Sequence, residues 1–139
     1  MNVLRWMAVP CSVITVWYGV LMIGIASIAV LERPCPPELM ISGMCTASWY
    51  APSVDALLLF YTGIVSAAVV LIPAAIAPFY RFYVALAAYG LGACFATYNV
   101  VVGVGWTLFM ASAAAGSAAL WIAALIWQPA RRFEKMAPL

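Results

Sequence analysis

The chain has 139 residues, of which 68% are hydrophobic and 7% charged, and its formal net charge is +2. Soluble proteins carry about 25% charged residues, so this composition indicates a membrane protein with room for a single domain. The small net charge, with no basic stripe, argues against nucleic-acid binding. The sequence contains no histidine, which excludes zinc sites, haem ligation and acid–base catalysis that depend on an imidazole.

Four long apolar segments predict an all-α membrane domain, a bundle of four transmembrane helices that takes up residues 1–139. The first segment exceeds the roughly 20 residues that cross a bilayer, and no signal-peptide cleavage motif follows it. Ser53 is expected to cap the second span, and 99–105 to form the turn before the fourth. The spans are predicted at 6–31, 54–78, 83–98 and 106–127.

The outer loop, 32–53, is the one substantial connection between the predicted spans. Four prolines and Gly43 argue against regular secondary structure in it. Its cysteines, Cys35 and Cys45, are expected to form a structural disulfide if the loop faces an oxidising compartment. Such a bond restricts the unfolded chain by about 2–3 kcal/mol in the chain-entropy model. A redox-active pair is the alternative, although the nine-residue spacing differs from the C-x-x-C pair of membrane thiol oxidases.

Basic residues are concentrated on one side of the predicted membrane. Lys and Arg are retained in cytoplasmic loops, so both termini are predicted to be cytoplasmic. Arg33 is the one exception, and it lies in the outer loop among acidic residues. The compact spans and short loops favour a bacterial inner membrane. The basic residues on the side of the termini are Arg5, Arg81, Arg131, Arg132 and Lys135, and the acidic residues on the outer side are Glu32, Glu38 and Asp55.

Aromatic and basic side chains at the predicted span ends are expected to anchor the protein at the lipid headgroups, since such side chains are enriched at membrane interfaces. These membrane anchors are Trp6, Trp49, Tyr50, Arg81, Trp106 and Trp127.

Small residues recur every four positions on the third and fourth spans. In lipid such residues allow helix backbones to approach closely, so these stripes predict a helix-packing interface, either within the bundle or with another protein. The third span contributes Ala88, Gly92 and Ala96, and the fourth contributes Ala111, Ser112, Ala115, Gly116, Ala119 and Ala123.

Neutral polar residues inside the spans are expected to bond to carbonyls of their own helices. No ionisable residue lies in a span interior, although ion-driven transporters usually carry one. The interior or near-interior polar residues are Thr15, Ser27, Thr62, Ser66, Thr97, Asn99, Ser112 and Ser117.

Packing features are thus abundant, whereas paired carboxylates, activated nucleophiles and phosphate-binding loops are missing. The leading hypothesis is a non-catalytic accessory, assembly or regulatory subunit that binds lipid and a larger integral membrane protein or copies of itself, with no cofactor and no metal. The first alternative is a small homo-oligomeric transporter or channel, in which Thr15, Asn99 and Ser112 would line a path. The second is a membrane thiol–disulfide oxidoreductase that uses Cys35 and Cys45.

Overall fold

The structure is a computed structural model that describes residues 2–103 and 105–127. It is mostly helical, and its four long helices are all long and apolar enough to cross a membrane. The prediction of four membrane-length helices is therefore confirmed. Arg131, Arg132 and Lys135 of the predicted basic tail lie outside the described residues. The helices are α1 (Asn2–Glu32), α2 (Tyr50–Ile76), α3 (Arg81–Val101) and α4 (Trp106–Trp127).

Helix α2 begins four residues earlier than predicted, so the assignment of Ser53 as its cap is wrong. Trp49 precedes the first helical residue, and the Ser53 hydroxyl donates to the Trp49 carbonyl over 2.7 Å from inside the first turn. Pro52 occupies the third helical position, where the missing N–H would have had no partner within the helix. Pro52 is therefore part of helix α2 and does not mark the end of the loop.

Helix α3 extends past the predicted end of its span at residue 98 into the predicted turn, and it ends at Val101. Asn99, which was expected to open the turn, lies inside the helix and its amide donates to the Phe95 carbonyl over 2.8 Å. The valines that follow continue the helix, and the chain reverses next to Gly103, which has a φ of +98°. Positive φ is accessible to glycine at little steric cost.

The loop between α1 and α2 is ordered, so the prediction that it lacks regular structure is wrong. A 3-10 turn (Pro37–Leu39) leads into an antiparallel hairpin of β1 (Met40–Ile41) and β2 (Met44–Cys45). The two turn residues, Ser42 and Gly43, have φ of 51° and 81°. Positive φ at both positions is the geometry of the two-residue type I′ turn, whose twist matches that of paired strands. We call residues 37–45 the hairpin.

Helices that are consecutive in the chain run antiparallel, and α2 packs against all three of the others, parallel to α4. Helices α3 and α4 also pack against each other, whereas the main packing of α1 is against α2. The N-terminus of α1, the α2–α3 turn and the C-terminus of α4 therefore share one end, which we call the Arg81 end. The hairpin and the α3–α4 turn share the other, which we call the hairpin end.

The tightest packing lies towards the Arg81 end. Small side chains of three helices meet there, which lets the backbones approach closely. The buried residues of this core are Val70, Ala74, Ala85, Ala119 and Ala123.

Candidate functional site

The hairpin is fastened to the ends of α1 and α2 by covalent and polar links. A disulfide joins Cys35 to Cys45, with 6.0 Å between their Cα atoms. The Tyr50 hydroxyl donates to the Glu32 carboxylate over 2.7 Å and so ties the first residue of α2 to the last residue of α1. A hairpin of two-residue strands is marginal by itself in water, so these links account for its order.

Hydrogen bonds extend the pairing beyond the two short strands. The Thr46 backbone N–H donates to the Leu39 carbonyl over 2.9 Å, and the Thr46 hydroxyl reaches the same oxygen over 2.8 Å. The loop closes against α2 through Ala47, which is buried and accepts a bond from the Tyr50 N–H. The whole connection is therefore a folded unit.

The two faces of the hairpin differ in exposure. Met40 pairs with Cys45 and Ile41 pairs with Met44, and side chains of successive residues point to opposite faces. On one face Cys45 is 6% and Met40 40% exposed, whereas Ile41 and Met44 on the other face are 61% and 65% exposed. The hairpin thus presents an outward apolar pair, Ile41 and Met44, beyond the ends of the helices.

The predicted membrane anchors lie at helix ends, Trp6 about one turn in from the start of α1. Trp49 and Tyr50 are at the start of α2, and Trp106 and Trp127 are the first and last residues of α4. Arg81 begins α3, and its Nε donates to the Ala77 carbonyl over 3.1 Å. The Arg81 guanidinium therefore caps the end of α2 as well as lying at the end of a span.

The small residues of the two predicted stripes fall into two environments. Ala119 and Ala123 are buried in the core, and Ala115 lies 3.8 Å from the position of a Cβ on Gly63. Towards the hairpin end, other members of the stripes line a half-open cavity of about 380 Å³ between α2, α3 and α4. Ala111 is half-buried. The stripe residues in the cavity wall are Ala88, Gly92, Ala96, Ser112 and Gly116.

Most polar residues of the spans bond to a carbonyl of the preceding helical turn, as expected. Thr62 and Ser66 differ, because neither hydroxyl bonds to any of the described residues. Ser117 also differs: its hydroxyl shares a hydrogen bond of 2.9 Å with Tyr89 on α3. Asn99 and Ser112 both line the cavity, whereas Thr15 lies on the exposed part of α1. The structure therefore brings together two of the three residues named for a transport path.

Two features of the site were missed from sequence. The outward apolar pair depends on the turn at Ser42 and Gly43, and a Ser-Gly dipeptide is one of the turn signals that could have revealed a hairpin. The free hydroxyls of Thr62 and Ser66 depend on the spacing of helices, for which the sequence carries no local signal.

The remaining cysteines, Cys11 and Cys94, are exposed thiols on α1 and α3.

No group of three or more Cys, Asp or Glu side chains within the described ranges could hold a metal ion. In comparisons with known proteins, no protein-family model, no curated protein and no solved structure matches the chain.

Proposed function

We propose that the protein is a non-catalytic accessory subunit of a larger integral membrane complex, and that it binds its partner through the outward apolar pair of the hairpin. The observation that carries the proposal is the exposure of Ile41 and Met44 on a folded, disulfide-linked hairpin. Large exposed apolar side chains held in a fixed arrangement mark interaction sites. Methionine is also favoured at binding surfaces because its side chain adapts to different shapes.

Contact with lipid tails explains the exposed apolar side chains of the spans, but it does not explain the exposure of Ile41 and Met44 on the hairpin. Apolar side chains along α1 are exposed because lipid tails surround a membrane helix, and lipid is as apolar as the side chains themselves. The hairpin instead lies beyond the ends of α1 and α2, where water and headgroups replace lipid tails. An extramembrane surface of a neighbouring membrane protein would remove the outward apolar pair from water.

The proposed setting is the bacterial inner membrane, with the Arg81 end on the cytoplasmic side. Arg5 and Arg81 lie at that end, while Glu38 and Asp55 lie towards the hairpin end, a distribution that agrees with the retention of basic residues in the cytoplasm. The hairpin then faces the periplasm, a compartment in which disulfides form and persist.

Helix packing contributes less to partner binding than the hairpin does. Ala119 and Ala123 are fully engaged inside the bundle, so the fourth-span stripe offers little of its length to a partner helix. Helix α1 packs mainly on α2, and its remaining surface is available to lipid or to spans of the larger protein. We propose that the hairpin supplies specificity and that α1 supplies additional contact area.

The experiment is co-purification of a tagged full-length chain from its own host after mild solubilisation, followed by native mass spectrometry. The test variant is Ile41→Gln/Met44→Gln, which makes the outward apolar pair polar. The matched control is Met40→Gln, which alters an apolar residue on the opposite face of the same hairpin. Burial of each outward side chain contributes about 1–2 kcal/mol, so the double variant should lose at least tenfold in partner yield.

The outcomes separate the hypotheses. A heteromeric complex that survives Met40→Gln and is lost in the double variant supports the proposal. Recovery of the wild-type chain purely as a monomer in several detergents contradicts it. Recovery as a homo-oligomer with no other protein instead favours the small transporter, which a liposome flux assay with a panel of ions and small solutes would then test.

A further inference from the structure

The bundle is packed at one end and open at the other. The buried core lies towards the Arg81 end, whereas α2, α3 and α4 line a half-open cavity of about 380 Å³ towards the hairpin end. Small residues form much of the α3 and α4 walls, which leaves space between the large side chains that also line the cavity. Ligand-binding pockets typically have volumes of about 300–1,000 Å³, and this cavity lies within that range.

Tyr89 separates the packed end from the open end. Its ring lies against Gly116, where a Cβ would come within 3.1 Å of two ring carbons. The Tyr89 hydroxyl shares its hydrogen bond with Ser117 on α4. The ring is thus held between α3 and α4 and forms the floor of the cavity.

The walls of the cavity are neutral. Its apolar lining includes Phe109 and, from α1, Trp17. No Asp, Glu, Lys or Arg lines the cavity among the described residues. A charged group would find no opposite charge there, and burial of an unpaired charge in a membrane domain is costly. The lining therefore selects an uncharged ligand that is soluble in lipid.

Two free hydroxyls give the cavity a polar wall. Thr62 and Ser66 are one turn apart on α2, and both line the cavity. Neither hydroxyl bonds to a described residue, and no side-chain oxygen there is buried without a partner. Both oxygens are consequently accessible, and both residues belong to the cavity wall. Serine and threonine hydroxyls are hydrogen-bond donors, and two of them spaced along one wall suit a ligand with carbonyl oxygens.

We propose that this cavity binds a neutral, lipid-soluble molecule whose carbonyl oxygens accept hydrogen bonds from Thr62 and Ser66. Two sources share this chemistry: the ring of a quinone and the ester groups of a neutral diacyl lipid. The cavity volume suits the ring or the glycerol ester portion, and the tail extends into the surrounding membrane. This assignment is independent of partner binding by the hairpin.

The test is a native mass-spectrometry titration of the full chain in dodecyl maltoside micelles, a detergent without carbonyl groups. Decylubiquinone is the quinone probe and dioleoylglycerol is the ester probe. We expect a saturable adduct of one molecule with at least one probe. Thr62→Val/Ser66→Ala should weaken it about tenfold, because the variant removes two hydrogen bonds at nearly constant volume. Thr15→Val, on an exposed face of α1, should leave the affinity unchanged.

A steric pair of variants tests the location independently. Gly92 lines the cavity and Gly90 does not. The two are otherwise matched, because a Cβ added at either residue would have no neighbouring atom within 4 Å. Gly92→Leu should abolish the adduct and Gly90→Leu should retain it. Saturation by decylubiquinone alone identifies a quinone, and saturation by dioleoylglycerol alone identifies a diacyl lipid. Binding of neither probe, or binding that both cavity variants leave unchanged, overturns the proposal.

Discussion

Replacement of Gly116 by alanine tests whether Tyr89 limits the approach of α3 and α4. The new Cβ would lie 3.1 Å from Tyr89 Cδ2 and Cε2, a few tenths of an ångström inside ordinary van der Waals contact. The ring cannot retreat freely, since its hydroxyl shares a 2.9 Å hydrogen bond with Ser117 and its side chain packs against the core.

The expected net effect is a loss of stability. Glycine inside a helix costs about 1 kcal/mol relative to alanine, so Gly116→Ala gains up to that amount from the backbone. Overpacking of a tight site costs about 1–3 kcal/mol, and displacement of the Tyr89 ring loses a hydrogen bond worth about 0.5–1.5 kcal/mol. With the full backbone gain, the sum is a net destabilisation by about 0.5–3.5 kcal/mol.

The assay is reversible denaturant unfolding of the detergent-solubilised protein, followed by tryptophan fluorescence. Gly90→Ala is the matched control, because that helical glycine has open space at its Cβ position, and it should be neutral or stabilising by up to about 1 kcal/mol. In a Tyr89→Ala background the clash is absent, so Gly116→Ala should change sign and stabilise. Equal effects of Gly116→Ala with and without the Tyr89 ring would refute the reasoning.

Three further predictions concern the hairpin and its links. Tyr50→Phe should lower the unfolding free energy by about 1 kcal/mol, because it removes the hydrogen bond to Glu32, and thermal unfolding measures this. Cys35→Ser/Cys45→Ser should lower the unfolding free energy by about 2–3 kcal/mol and expose the hairpin to proteolysis, while the helical circular dichroism stays unchanged. In the wild type the disulfide should resist millimolar reductant. Ready reduction of the native protein would instead favour the thiol–disulfide oxidoreductase. Gly43→Ala should destabilise the hairpin by about 1 kcal/mol, because an alanine at φ +81° is strained, and faster proteolysis of the hairpin would show it.

The helices were predictable from sequence because their signal is local. A run of apolar residues long enough to cross a bilayer must form a helix there, since every backbone polar group needs an internal partner. Helix α4 has the predicted bounds, 106–127. The errors lie at boundaries where two local signals compete. Around Pro52, the proline-rich composition predicts a loop, although the first turn of a helix tolerates proline.

The site was less predictable because its features depend on tertiary spacing. Equivalent small residues recur along the stripes, yet Ala119 and Ala123 are buried while Gly92 faces a cavity. The sequence pattern alone does not distinguish these environments, because the separation of α2, α3 and α4 changes along the bundle. Likewise, the pairing of Cys35 with Cys45 was expected, but the exposure of the hairpin above it was not.

The residues of α2 opposite the stripes differ between the packed core and the cavity. Towards the Arg81 end, α2 presents Val70 and Ala74, which pack directly against alanines of α3 and α4. One turn above Val70, α2 presents Ser66 and then Thr62, while the Tyr89 ring lies between α3 and α4. At this level the ring occupies the gap between α3 and α4, and the α2 wall carries two small hydroxyl side chains beside its valines, so the space above the ring stays unfilled. A truncation at Tyr89 should therefore both remove the cost of Gly116→Ala and reduce ligand binding in the cavity, because the same ring lies against Gly116 and forms the cavity floor.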